Sequence, residues 1–177
     1  QDRFLARSTT VNVSVAQGLT APLEPSSDAS NSANLQMVDD LNADGFRDLV
    51  FGHAEADVSA GNGGAVYVFL SEPSGQLSAQ PAQVLSSSVR DDFLGWSLSV
   101  DDVTGDGLPD LVVGVRTGDF GGTNSGGVSI YDGTGNPEMP FETEPSTILP
   151  GVNSFDFLGS ALTICDFNND GFLDIAT

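Results

Sequence analysis

A nine-residue acidic pattern occurs three times in this chain, and it constrains the fold more than any other feature of the sequence. Each copy has Asp at positions 1, 5 and 9, Asn or Thr at position 3, and Gly at position 6. The copies begin at Asp40, Asp102 and Asp166, so their starts are 62 and 64 residues apart. A period of this length exceeds one helical hairpin and suits one four-stranded blade of a β-propeller with long loops.

The residues around the acidic pattern repeat as well. A Phe-Leu-Gly segment precedes the second and third copies, whereas the first copy has the degenerate stretch 31–35 there. An apolar run follows the pattern and closes on Gly52 in the first copy and on Gly114 in the second. Two further apolar runs follow, with residues 65–69 matching 127–131 and residues 83–85 matching 147–149.

These short runs predict an all-β protein built of four-stranded antiparallel blades. They are rich in β-branched and aromatic residues and are bounded by Gly, Asn, Asp or Pro, while no window has sustained helical periodicity. About two and a half blades are present. The predicted division is an N-terminal strand and linker at 1–30, blades at 31–92 and 93–156, and the first half of a third blade at 157–177.

The charge and cysteine content exclude several classes of function. Five Lys and Arg residues against 25 Asp and Glu residues give a formal net charge of −20, which disfavours nucleic acid and anionic lipid as partners. No stretch approaches the roughly 18 to 20 apolar residues of a membrane-spanning helix. The single cysteine, Cys165, excludes an intrachain disulfide, so in an oxidising compartment the chain needs another form of cross-link.

The acidic pattern has the composition of a calcium-binding loop. Calcium prefers about six to eight oxygen ligands, which a tight loop provides from side chains at positions 1, 3, 5 and 9 and a carbonyl at position 7, with Gly at position 6 for the turn. The predicted ligands are Asp40, Asn42, Asp44, the Phe46 carbonyl and Asp48; Asp102, Thr104, Asp106, the Leu108 carbonyl and Asp110; and Asp166, Asn168, Asp170, the Phe172 carbonyl and Asp174. About three Ca²⁺ ions are therefore expected, one per loop.

The alternative interpretation is a plain turn between strands, since Asn, Asp and Gly favour turns without any metal. Three copies that keep five positions each favour the metal, because carboxylates crowded into one loop repel one another unless a cation neutralises them. Nine of the 25 acidic residues lie in the loops, and three bound calcium ions would change the formal charge from −20 to −14.

Taken in order, the Phe-Leu-Gly segment, the acidic loop and the following Leu-Val-x-Gly run resemble the FG-GAP repeat of the integrin α-subunit propeller and its relatives. The resemblance covers residues 31–177. It implies four-stranded blades, calcium in the loop between the first and second strands, and a role in adhesion, ligand binding or scaffolding. It carries over no ligand-binding residue, because the loops above such propellers vary with the partner.

The sequence departs from the family in its incomplete third blade. A closed propeller of this family has about seven blades, so the chain is interpreted either as a fragment of a longer propeller or as a subunit whose missing strands come from another molecule. In the second case residues 10–15, which alternate cleanly, are the candidate donor strand and the open strand edges are the site of self-association.

The leading functional hypothesis is an extracellular calcium-binding module, secreted or at the cell surface, that binds a protein or carbohydrate and is not an enzyme. The alternatives are a non-catalytic propeller within a larger secreted hydrolase or lyase, and a filament-forming subunit. His53 is expected to have a packing or loop role, because one histidine without a partnered Cys or Ser forms no triad. Asp92 is expected at the surface, Cys165 partly buried, and Asn12 fits a glycosylation sequon.

Overall fold

The computed structural model of the protein describes residues 33–38, 40–72 and 74–177, which contain ten strands and no helix. The predicted donor strand at 10–15 and the sequon at Asn12 lie outside the described residues. The strands are β1 (Ala33–Met37), β2 (Leu49–His53), β3 (Ala65–Phe69), β4 (Gln83–Ser86), β5 (Leu94–Asp101), β6 (Asp110–Val115), β7 (Gly127–Tyr131), β8 (Thr147–Pro150), β9 (Thr163–Cys165) and β10 (Asp174–Ala176). The all-β prediction is confirmed.

The strands form three antiparallel sheets. Strands β1 to β4 form one four-stranded sheet in chain order, here blade 1, and β5 to β8 form blade 2 in the same order. Strands β9 and β10 pair as a two-stranded third sheet. Every pair of neighbours is antiparallel, as expected for a meander with short connections.

Alternation along the strands buries both faces of the blades. Val50, Val66 and Val68 of blade 1 form a core with Leu111 and Val113 of blade 2. The alternate residue of β6, Val112, faces the third sheet together with Val128 and Ile130 of β7. Successive side chains of a strand point to opposite faces. Because both faces are buried, the central strands carry nearly continuous apolar residues.

Glycines allow neighbouring sheets to approach closely. A Cβ atom on Gly52 in β2 would lie 2.5 Å from the carbonyl oxygen of Gly95 in β5, and one on Gly114 would meet the carbonyl oxygen of Gly159 in the same way. Gly95 and Gly159 have φ values of +88° and +84°, which favour glycine. At each junction between sheets, the glycine that closes the apolar run of one repeat therefore contacts the glycine of the next repeat's Phe-Leu-Gly segment.

The second junction is less covered than the first. Leu85 in β4 is 4% exposed in the core between the blades, whereas Leu149 at the matching position in β8 is 37% exposed. The described part of the third sheet has two strands. Its Ile164 and Ile175 pack against a cluster in β6 and β7 that does not include Leu149.

Antiparallel order places the acidic loops at one end of the sheets. Each loop joins the first and second strands of its sheet, and the connections from β3 to β4 and from β7 to β8 emerge at that same end. The described residues offer no helix of the length and apolarity needed to cross a membrane.

Candidate metal-binding loops

The carboxylate at position 1 folds each acidic loop in the same way. It accepts hydrogen bonds from the backbone N–H groups of positions 5 and 6. The N···O distances are 2.9 and 2.6 Å at Asp40, 3.1 and 2.9 Å at Asp102, and 3.1 and 2.9 Å at Asp166. In loops 1 and 3 the N–H of position 5 also donates to the Asn side chain at position 3, at 3.2 and 2.8 Å.

Positions 5 and 6 complete the turn. The carboxylates of Asp44, Asp106 and Asp170 accept the N–H of the residue two further on, at 2.9, 2.8 and 2.9 Å. The glycines at position 6 have φ values of +90°, +91° and +90°, a conformation in which a Cβ atom would be strained. The three loops therefore share one backbone conformation.

Position 9 differs from the others because its side chain is buried in both blades. Asp48 and Asp110 have no exposed surface. One oxygen of Asp48 accepts the N–H of Leu41 at 2.8 Å and the other accepts the N–H of Ser71 at 2.8 Å. These bonds connect the acidic loop to the chain that follows β3.

Loop 2 repeats this arrangement. One oxygen of Asp110 accepts the N–H groups of Val103 and Thr104 at 3.0 and 2.9 Å, and the other accepts the N–H of Gly133 at 2.9 Å. In the third sheet, Asp174 is half-buried and accepts the N–H of Phe167 at 3.0 Å.

The electrostatics of the first loop follow from burial and from these bonds. Burial raises the pKa of Asp48; the N–H groups of Ser71 and Leu41 oppose the shift and the negative charges of Asp44 and Asp40 add to it. Desolvation also acts to raise the pKa of Asp40, but four backbone N–H groups together outweigh it, and the pKa of Asp40 lies below its ordinary value.

The oxygen atoms of the loop side chains suit a hard cation, although the carboxylates accept hydrogen bonds from the backbone of their own loop. In the described part of the chain, no three His, Cys, Asp or Glu side chains converge closely enough to hold a metal ion. All side-chain ligands predicted in the loops bind through oxygen, which is the ligand atom that calcium prefers. The residues therefore fit calcium chemically, and the hydrogen bonds alone also explain a metal-free turn.

The sequence identified the loop side chains but not the groups that fix position 9. Ser71 and Gly133 contribute through their backbone N–H groups, and no side-chain pattern marks such donors. Both residues follow a strand of their blade by two positions, which is the only signal that could have indicated them.

Two expectations for residues outside the loops are wrong, and one is confirmed. Cys165 is exposed rather than partly buried. Asp92, expected at the surface, is 8% exposed and accepts a hydrogen bond from the Ser87 hydroxyl at 2.6 Å. His53 ends β2 and stacks on Phe51 with 6.2 Å between ring centroids, which is a packing role.

Comparison with known families assigns the class of the protein. The FG-GAP-like repeat family matches residues 40–113 and 102–177, which together span most of the chain. With two four-stranded blades and acidic loops between their first and second strands, the chain belongs to the FG-GAP-like repeat family, and its sheets are part of a β-propeller.

Individual relatives include both enzymes and integrins. The chain is 34% identical over 134 residues to phosphatidylinositol-glycan-specific phospholipase D of Bos taurus, covering 73% of this chain and 16% of that protein. It is 30% identical over 139 residues to integrin alpha-6 of Homo sapiens, covering 77% of this chain and 11% of that protein. The chain thus spans less than a fifth of the length of these relatives.

Proposed function

We propose that this chain is an extracellular calcium-binding propeller module for adhesion, ligand binding or scaffolding, without catalytic activity of its own. The observation that carries the proposal is the recurrence of one oxygen-only loop, with one backbone conformation, at the same end of three successive sheets. A turn needs no such identity, because many Asn, Asp and Gly combinations form turns between strands.

The proposed ions bind through the predicted residues at positions 1, 3, 5, 7 and 9. Asp40, Asp44 and Asp48 supply the charge in loop 1, and loops 2 and 3 repeat this set. Calcium would neutralise carboxylates that otherwise repel one another. It would thereby cross-link a chain whose single cysteine forms no intrachain disulfide.

The proposed location follows from the expected affinity. Loops of this size in extracellular modules bind calcium with Kd values of about 10⁻⁴ to 10⁻³ M, which are saturated only where calcium is millimolar. The similarity to integrin alpha-6 supports a protein or carbohydrate partner at a cell surface. The charge of −20 argues against nucleic acid.

Metal analysis tests the proposal directly. Protein dialysed to equilibrium against calcium at several times the expected Kd, with the free ion still present, is expected to hold about three equivalents of calcium above the dialysate. Zinc is not expected to compete because no thiolate or imidazole lies in the loops. Retention of fewer than about two equivalents at saturation would sink the assignment.

A second candidate function is a non-catalytic propeller within a larger secreted hydrolase. The similarity to phosphatidylinositol-glycan-specific phospholipase D favours it. The full coding sequence separates the candidates, since this candidate requires a catalytic domain in the same chain and the first candidate does not. Self-association through strand edges, with residues 10–15 as donor, stays a hypothesis; unchanged sedimentation after deletion of residues 1–16 would contradict it.

A further inference from the structure

The buried aspartate of loop 2 is held by the chain segment that connects β7 to β8. The Asp110 carboxylate, which has no exposed surface, accepts the Gly133 N–H at 2.9 Å. A Cβ atom on Gly133 would lie 2.6 Å from the Pro109 carbonyl oxygen and 2.8 Å from Leu108 Cβ. The backbone at Gly133 therefore lies directly on the acidic loop.

This segment is itself ordered as a hairpin. Gly133 and Phe141 form an antiparallel bridge. The Thr134 N–H donates to the Pro140 carbonyl and the Glu142 N–H donates to the Asp132 carbonyl, both at 2.9 Å. Residues 132–142, here called the connecting hairpin, therefore hold Gly133 and Phe141 in fixed relative positions through paired backbone.

The far end of the connecting hairpin is bonded to the neighbouring blade. Phe141 is fully buried in the core between the blades. The Gln83 side chain of β4 donates from Nε2 to the Phe141 carbonyl at 2.6 Å and accepts the Phe141 N–H at Oε1, at 3.1 Å. Gln83 is 7% exposed, so water cannot readily replace these two bonds.

The other repeats provide internal comparisons. In blade 1, the Ser71 N–H donates to Asp48 at 2.8 Å and Ser71 forms an antiparallel bridge with Leu77. Blade 1 therefore has the same bond between its buried aspartate and the segment that follows its third strand. At the position in β8 that matches Gln83 stands Thr147, which is exposed. Thr147 is therefore a natural control for substitutions at Gln83.

We propose that the metal-binding loop of blade 2 and the contact between the blades are coupled through Asp110, the connecting hairpin and Gln83, with Gln83 a positioning residue for the loop. This inference rests on the proposed calcium binding. Calcium fixes the Asp110 carboxylate, and a carboxylate held in place by Gly133 is better positioned for calcium. Such coupling is reciprocal, so calcium in loop 2 stabilises the junction and the Gln83 bonds raise the calcium affinity of loop 2.

The test is a calcium titration of the whole chain followed by hydrogen exchange, with peptides covering each acidic loop and residues 132–142. In the wild type, calcium is expected to slow exchange in all three loops and in the connecting hairpin. Gln83→Leu is expected to raise the calcium midpoint of residues 102–110 by about fivefold or more. The midpoints of residues 40–48 and 166–174 are expected to stay unchanged.

Thr147→Val serves as the matched control and is expected to change no midpoint. Thr104→Asp adds a carboxylate at an exposed position of loop 2, which tightens calcium binding by ligand charge without disturbing the core. The midpoint of residues 132–142 is expected to fall together with that of loop 2, and this arm remains informative if Gln83→Leu does not fold.

The outcomes separate the two proposals. If calcium protects the wild-type loops but Gln83→Leu shifts no midpoint, or shifts all three equally, the coupling is refuted and calcium binding stands. The coupling is also refuted if residues 132–142 fail to follow loop 2 in Thr104→Asp. If calcium protects none of the wild-type loops, both the calcium proposal and the coupling fail.

Discussion

At the scale of single residues, the aspartates of each acidic loop divide by exposure into two roles. Asp106 is exposed and closes the turn through the Leu108 N–H, whereas Asp110 is buried and joins the loop to Gly133. A change at the exposed position therefore acts mainly on the turn and on the proposed metal site. A change at the buried position also removes a partner from buried N–H groups, which carries a desolvation cost.

Substitutions at Asp106 distinguish the metal from the turn. Asp106→Asn keeps an oxygen for the Leu108 N–H but removes a charged ligand from a loop that already has the neutral Thr104. A ligand at ten times its Kd stabilises the folded state by about 1.4 kcal/mol. We expect the variant to lose about this much in millimolar calcium, measured by chemical denaturation, and almost nothing in chelator.

Asp106→Ala is the companion variant, because it also removes the hydrogen bond to Leu108. It is expected to lose a further ~0.5–1.5 kcal/mol in both buffers. If Asp106→Asn were destabilised equally with and without calcium, the carboxylate would act only in the turn and the calcium assignment of loop 2 would fail.

Asp92 gives a prediction for pH. Burial raises its pKa above the ordinary value of 3.8; the Ser87 hydroxyl opposes the shift and the charge of Asp119 adds to it. The folded state then binds the proton more tightly than the unfolded state, so this residue lowers stability as pH rises through its folded pKa.

Asp92→Asn removes that loss while keeping an acceptor for Ser87. We expect the stability of the variant relative to the wild type to increase between about pH 4 and pH 7, measured by urea denaturation across that range. A flat difference for Asp92→Asn across this range would mean that the carboxyl is not desolvated in the folded state.

At the scale of the elements, the sheets are positioned by glycine contacts and by the side chains on their facing surfaces. Gly52 meets Gly95 and Gly114 meets Gly159, while the Ser97 hydroxyl donates to the Gly159 carbonyl at 2.7 Å from a buried site. The repeated glycines therefore set the distance between sheets. Their role is to allow backbone to approach backbone.

Gly114→Ala tests this role of glycine. The added methyl group would overlap the Gly159 carbonyl, and overpacking of this kind costs roughly 1–3 kcal/mol. We expect a clear decrease in Tm in both calcium and chelator. Gly75→Asn, at an exposed site with φ +77° and open space around it, is expected to change Tm little, since Asn tolerates this conformation. Equal Tm values for the two variants would contradict this role, because they would show that a methyl group at position 114 does not destabilise the junction between the sheets.

At the scale of the whole molecule, net charge opposes compactness. A formal charge of −20 on 177 residues repels itself in the folded state, and nine of the acidic residues are collected in the three loops. Simple salt relieves such repulsion by screening, and calcium would relieve it by binding to the loops as proposed.

Salt and calcium should therefore compensate for each other. Raising potassium chloride from about 0.02 M to 0.3 M shortens the screening length severalfold, and we expect it to raise Tm more in chelator than in saturating calcium. Differential scanning calorimetry at the four combinations measures the effect. An equal increase in both buffers would indicate that calcium does not neutralise the loops.

Sequence periodicity was sufficient for the strands and for the places of the loops. Short apolar runs at a fixed distance from each acidic pattern leave little choice of secondary structure, and β2, β3, β6 and β7 lie where the pattern put them. The first strand of blade 1 was harder to assign, because residues 31–35 lack the Phe-Leu-Gly segment, yet β1 pairs with β2 along its full length.

The sequence by itself determined the repeat, the all-β architecture and the residue types in the loops, because these depend on local spacing and on which side chains carry oxygen. Only the tertiary structure decided that Asp48, Asp92 and Asp110 are buried and that Cys165 is exposed. It also decided which backbone N–H groups complete position 9 and that Gln83 bonds to Phe141. Burial and long-range backbone pairing depend on which sheets meet in space, and residues 58 positions apart leave no local trace of that contact in the sequence.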